Sequence, residues 1–90
     1  MKHRDLYKKF LEELKVVQNQ RRGVPSEVWV PREREFMLNL INTARSEEGR
    51  PPVAIEDVER VETFAMGHVD YTSKFALYCA ELVVHTEVKP

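Results

Sequence analysis

A chain of 90 residues, 42% apolar and 32% charged, has room for one modest hydrophobic core and reads as a single domain over residues 1–90. Its single cysteine, Cys79, rules out an intramolecular disulfide, and its net charge of −1 lacks the strong basic excess of a typical nucleic-acid binder. No apolar run approaches the roughly 20 residues needed to cross a bilayer, and the opening MKHRDLYKKF has no apolar core of a signal peptide, so no membrane association and a cytoplasmic location are expected.

The small net charge hides an asymmetry. Residues 1–45 hold ten Lys/Arg against six Asp/Glu, and residues 46–90 hold four against nine. A basic first half fits an anionic partner; equally, the two halves can face each other, within one chain or across a dimer.

The first expected helix covers about residues 4–20. Leu6, Tyr7, Phe10, Leu11, Leu14 and Val17 recur at steps of three and four, the stripe of an amphipathic helix. Asp5 suits the positive end of its dipole, and Arg21, Arg22 and Gly23 supply a C-terminal stop signal. Residues 24–30 then read as an extended connector, because Val24 and Val30 each precede a proline and such residues avoid the α region. Within it stands Trp29, the only tryptophan, expected as a core plug and, if exposed, as the leading partner-binding residue.

Pro31 is suited to the first helical position, so the second helix is expected over about residues 31–46 with Phe36, Met37, Leu40, Ile41 and Ala44 inward. Arg32, Arg34, Asn39, Asn42 and Arg45 point elsewhere in this reading, and Gly49 followed by Pro51 and Pro52 ends the helix. The stretch LNLINTARSEEGRPPV, residues 38–53, resembles the opening helix of CAP-superfamily domains, in which an Asn and an Ala-Arg pair run into Gly and Pro-Pro. The resemblance covers 16 residues; the strands of those α/β sandwiches have no place in this chain, and no site is carried across.

A third helix is expected over about residues 55–66, with Glu56, Asp57 and Glu59 in its first turn and Val58, Val61, Ala65 and Phe64 on its stripe. Gly67 closes it and Asp70 caps a fourth helix over about residues 70–85. In the alternative, one helix of about 46 Å, at 1.5 Å per residue, continues from Ile55 to His85. Between Asp70 and Glu87 only Lys74 and Glu81 are charged, so the last helix is apolar nearly all round and is expected at the centre. Beta propensity alone also allows a short strand over residues 82–88.

The expected fold class is therefore all-α, a small bundle of three to four helices around the C-terminal one. Chemistry-bearing motifs are sparse. His68, Asp70 and His85 form a candidate polar site, but there is no HExxH and no paired CxxC, and the three glycines are isolated. Cys79 lies in the most apolar stretch and reads as an inert thiol. Glu56, Asp57, Glu59 and Glu62 read as a solvated helix face. No catalytic residue, metal ligand or cofactor is expected. The expectation is a non-enzymatic protein–protein interaction module that self-associates as a homodimer, with Trp29, Arg21, Arg22, Arg32 and Arg34 as partner-binding residues. The alternative is a small nucleic-acid-binding regulator using Arg21, Arg22, Arg32, Arg34 and Arg45.

Overall fold

The computed structural model describes residues 3–85. Four helices follow in order: α1 (His3–Asn19), α2 (Ser26–Glu47), α3 (Ile55–Met66) and α4 (Tyr71–Val84). No strand occurs among the described residues. Helix α4 packs against each of the other three, most extensively against α1. Helices α1 and α3 make no packing contact with each other.

The periodic apolar stripes become the core. Leu6, Phe10 and Leu14 from α1, Met37, Ile41 and Ala44 from α2, and Val58, Val61 and Ala65 from α3 belong to one core cluster. Phe75, Ala76, Cys79, Ala80, Leu82 and Val83 of α4 lie among them, all buried. Six buried residues in a helix of 14 explain why α4 lacks a polar face wide enough for solvent. The radius of gyration is 12.5 Å, close to the roughly 12 Å expected for a compact chain of this length.

Three boundaries follow from local chemistry. At the end of α2 the Arg50 N–H donates to the Arg45 carbonyl at 2.8 Å and the Gly49 N–H to the Ser46 carbonyl at 3.1 Å. Gly49 has φ +72°, and this pair of bonds is the Schellman arrangement that glycine permits. At the start of α3 the Asp57 carboxylate accepts the Ala54 N–H at 3.0 Å, satisfying one donor at the helix entrance. Between them Asn42 donates through Nδ2 to the Val53 carbonyl at 3.1 Å and accepts the Val53 N–H at Oδ1 at 2.8 Å, pinning the connector to α2.

Two expectations need correction. Residues 24–30 are not an extended connector: α2 begins at Ser26, five residues before Pro31, with Pro25 at its N-cap. The Val28 and Trp29 N–H groups both donate to the Pro25 carbonyl, at 3.0 and 3.1 Å. Pro31 removes the donor for the Glu27 carbonyl, and Glu27 and Pro31 both lie on the exposed face of the helix. The break near Gly67 is observed, yet it does not use glycine's freedom. Gly67 has φ −79°, and the His68 N–H bonds the Ala65 carbonyl at 3.0 Å. Asp70 occupies the N-cap position of α4 without a side-chain capping bond. The sequence positions 86–88 of the strand alternative lie outside the described residues.

Candidate functional site

The core stripes carry three charged side chains. Glu33, Glu62 and Arg45 are 1%, 3% and 1% exposed. Each falls on the apolar period of its own helix: Glu33 precedes Met37 and Ile41 by four and eight residues, Arg45 follows Ile41 by four, and Glu62 follows Val58 by four.

Glu33 and Glu62 face the hydroxyl of Tyr71. Its oxygen lies 3.3 Å from Oε1 of Glu33 and 3.2 Å from Oε2 of Glu62. Arg34 donates from Nε to Oε1 of Glu62 at 2.7 Å and from a terminal nitrogen to Oε2 of Glu59 at 3.3 Å. This ion pair joins the basic half of the chain to the acidic half. Helix α1 adds Gln18, whose Oε1 accepts the Thr72 hydroxyl at 3.2 Å. All four helices thus send polar groups to one junction. Burial lifts the Glu33 carboxyl from 4.5 to about 7; the Gln18 amide and Tyr71 hydroxyl oppose that rise, while the Glu62 charge adds to it. The Tyr71 hydroxyl is likewise pushed up by burial and by the two carboxylates, and the hydrogen bond that Arg34 gives to Glu62 holds the Arg34 guanidinium more firmly charged.

Above this junction an apolar recess of about 320 Å³ opens between Trp29, Val30, Met66 and Tyr71, with Arg34 and Glu62 at its base. Trp29 is half-buried and stands outside the core cluster. It also borders a smaller recess of about 130 Å³ with Arg21 and Arg32, and the Arg21 guanidinium lies 4.6 Å from its ring centre. Beside Met66 the α3–α4 turn exposes further apolar surface. Phe64 is 54% exposed, Met66 68%, and Val69 fully. Phe64, expected on the buried stripe, instead meets Tyr78 edge-on with ring centres 6.4 Å apart.

The candidate arginines divide. Arg21, Arg22 and Arg32 are exposed around the α1–α2 turn. Arg34 is engaged with Glu59 and Glu62. Arg45, expected to point outward, is buried: it donates from Nε to the Pro51 carbonyl at 2.6 Å and from one terminal nitrogen to the carbonyls of Leu82, Val83 and His85 at 2.6, 3.4 and 2.6 Å. The last three are carbonyls at the C-terminal end of α4, the negative end of its dipole. Burial draws the Arg45 pKa down, with the nearby Arg50 charge adding to the effect, yet a guanidinium stays charged and the carbonyls hold it.

His68, Asp70 and His85 are not brought together. His68 and Asp70 precede α4 and His85 follows it, so the 14-residue helix separates them by roughly 20 Å at 1.5 Å per residue. His68 lies 3.2 Å from the Tyr78 hydroxyl. Cys79 is sealed in the core, and burial holds its thiol well above the usual range. Among the described residues no three His, Cys, Asp or Glu side chains gather as metal ligands. No helix there is long and apolar enough to cross a membrane. Sequence reasoning missed Glu33 and placed Glu62 on a solvated face, although its spacing from Val58 and Val61 carries the buried period. Compared with known protein families, curated proteins and solved structures, the chain finds no match.

Proposed function

We propose that the chain is a non-enzymatic interaction module that docks a second copy of itself through the recess lined by Trp29, Val30, Met66 and Tyr71. The observation carrying this reading is that apolar recess, with Met66 68% exposed at its edge. Aromatic residues and methionine are the side chains that protein interfaces concentrate at their centres. An exposed methionine beside an apolar recess that holds the only tryptophan calls for a cover. A homodimer supplies one by placing the same patch on both sides of a two-fold axis. The sealed Cys79 and the separation of His68 from His85 support a role without catalysis.

Sedimentation equilibrium of the wild type and of Met66→Glu tests this. The wild type is expected to dimerise at tens of micromolar, and the exposed Met66→Glu change to yield a monomer of unchanged helicity. A wild type that stays monomeric at hundreds of micromolar, or a variant that dimerises equally well, refutes the proposal.

A second reading uses Arg21 and Arg32 beside Trp29, where cationic and aromatic groups meet in one recess. Such a pairing suits a single-stranded nucleic acid, whose bases stack and whose phosphates pair. Binding of a fluorescent oligonucleotide that weakens steeply with salt would favour it.

A further inference from the structure

The Tyr71 hydroxyl carries one proton and stands within hydrogen-bond distance of two carboxyl groups, Glu33 at 3.3 Å and Glu62 at 3.2 Å. One hydroxyl proton serves one carboxylate. If both glutamates were ionised, the other contact would set two lone-pair oxygens against each other at a largely buried carboxyl. A second proton removes that conflict, and the surroundings decide where it sits. Glu62 receives the Arg34 guanidinium at 2.7 Å, which favours its charged form. Glu33 has no ion-pair partner at salt-bridge distance among the described residues, is 1% exposed, and its Oε2 meets no protein donor.

We infer that Glu33 is a neutral carboxylic acid in the folded protein, sharing its proton with Tyr71, and that ionising it is a switch that loosens the four-helix junction beneath the Trp29 recess. In the closed form the Glu33 O–H donates to the Tyr71 oxygen. The Tyr71 O–H donates to Glu62, Arg34 donates to Glu62, and the chain of bonds reaches the surface at Glu59. In the open form Glu33 has lost its proton to solvent. Two buried carboxylates then compete for one hydroxyl proton, and helices α2, α3 and α4 are pushed apart where they meet.

Every element at the junction contributes to the balance. From the α1 side the Gln18 amide and the Arg21 charge favour the anion. On α2 itself Arg34 is committed to α3. Helix α3 brings Glu62 and, further out, Glu59; helix α4 brings Tyr71 and the protonated Cys79 thiol. Burial outweighs the favourable contacts and leaves Glu33 near 7, against 4.5 for a free side chain. The sign follows. The folded chain keeps a proton that the unfolded chain releases above 4.5, so the contribution of Glu33 to stability is complete below that pH and is lost as the pH rises through about 7.

The test is a carbon-13 NMR titration of the glutamate side-chain carboxyls in the wild type, Glu33→Gln and Glu62→Gln, with Trp29 fluorescence followed over the same range. One glutamate is expected to titrate near 7 in the wild type and to vanish in Glu33→Gln. Trp29 emission is expected to change with the same midpoint in the wild type and to stay flat in Glu33→Gln. In Glu62→Gln the Glu33 midpoint is expected to fall, because the like charge is gone. Should every wild-type glutamate titrate in the ordinary range, or the Trp29 transition persist unchanged in Glu33→Gln, the inference is overturned. The wild-type titration needs no variant to fold.

Discussion

Replacing Arg45 probes the least expected contact in the bundle. Its guanidinium reaches from the last turn of α2 to four carbonyls, those of Pro51, Leu82, Val83 and His85. In Arg45→Ala the carbonyls of Pro51 and His85 belong to exposed residues and find water, whereas those of Leu82 and Val83 belong to buried ones. An orphaned buried acceptor costs about 1–3 kcal/mol, and the lost packing of the Arg45 stem adds roughly 2 kcal/mol. The sum, roughly 4–8 kcal/mol, is a large part of the 5–13 kcal/mol typical for a chain of this length. Arg45→Lys keeps the charge and the stem but not the fork that spans Pro51 and α4 together, and should cost about 2 kcal/mol. Arg45→Met keeps only the stem and falls between the two. Urea denaturation followed by far-UV circular dichroism gives these values, with native-state hydrogen exchange as the local readout. The final turn of α4 should lose protection first. If Arg45→Ala lies within about 1 kcal/mol of the wild type, the guanidinium does not carry the cap and the reasoning fails.

Two further predictions concern the connectors. Asn42→Ala removes both bonds to Val53 and should cost about 1–3 kcal/mol in the same urea assay, with Asn42→Asp, which keeps the acceptor but sets a carboxylate oxygen against the Val53 carbonyl, losing at least as much. The two helix-ending glycines should respond in opposite directions. Gly49→Ala forces a side chain into φ +72° and should destabilise by about 1 kcal/mol although no atom crowds the new methyl group. Gly67→Ala, at φ −79° with only the Phe64 carbonyl 3.8 Å away, should stabilise by about 0.4–1 kcal/mol in thermal unfolding. Equal losses at both would show that crowding, not backbone conformation, governs these ends.

The stripes of α1 and α4 were legible because apolar spacing and burial express the same physics. Leu6, Phe10 and Leu14 are buried where the period puts them, and Gly49 ends α2 as its flexibility requires. Pro31 misled because a proline is read as a start when nothing shows that it will lie on the exposed face of a longer helix. Arg45 and Glu62 misled for another reason. A charged side chain is placed outward by default, since burying it unpaired is costly. Here the partners that offset that cost lie far along the chain: Leu82 for Arg45, Tyr71 and Arg34 for Glu62. A charge standing on an apolar period is a local signal that such a partner exists, but the period does not name it. The recess at Trp29 was illegible for the same reason, because Met66 and Tyr71 reach it from other helices.

The packing of α1 chiefly on α4 has a consequence for synthesis. The ribosome releases Leu6, Phe10 and Leu14 before the surface that shelters them, around Phe75 and Cys79, which is made about 60 residues later. At 5–20 residues per second that delay is roughly 3–12 s. Throughout it the α1 stripe has only α2 beside it, and α3 offers it nothing. Nascent chains of this protein therefore pass through an interval with an uncovered greasy helix, open to chaperones or to the α4 of a finished neighbour. The order in which the helices are made runs against the order in which they need one another.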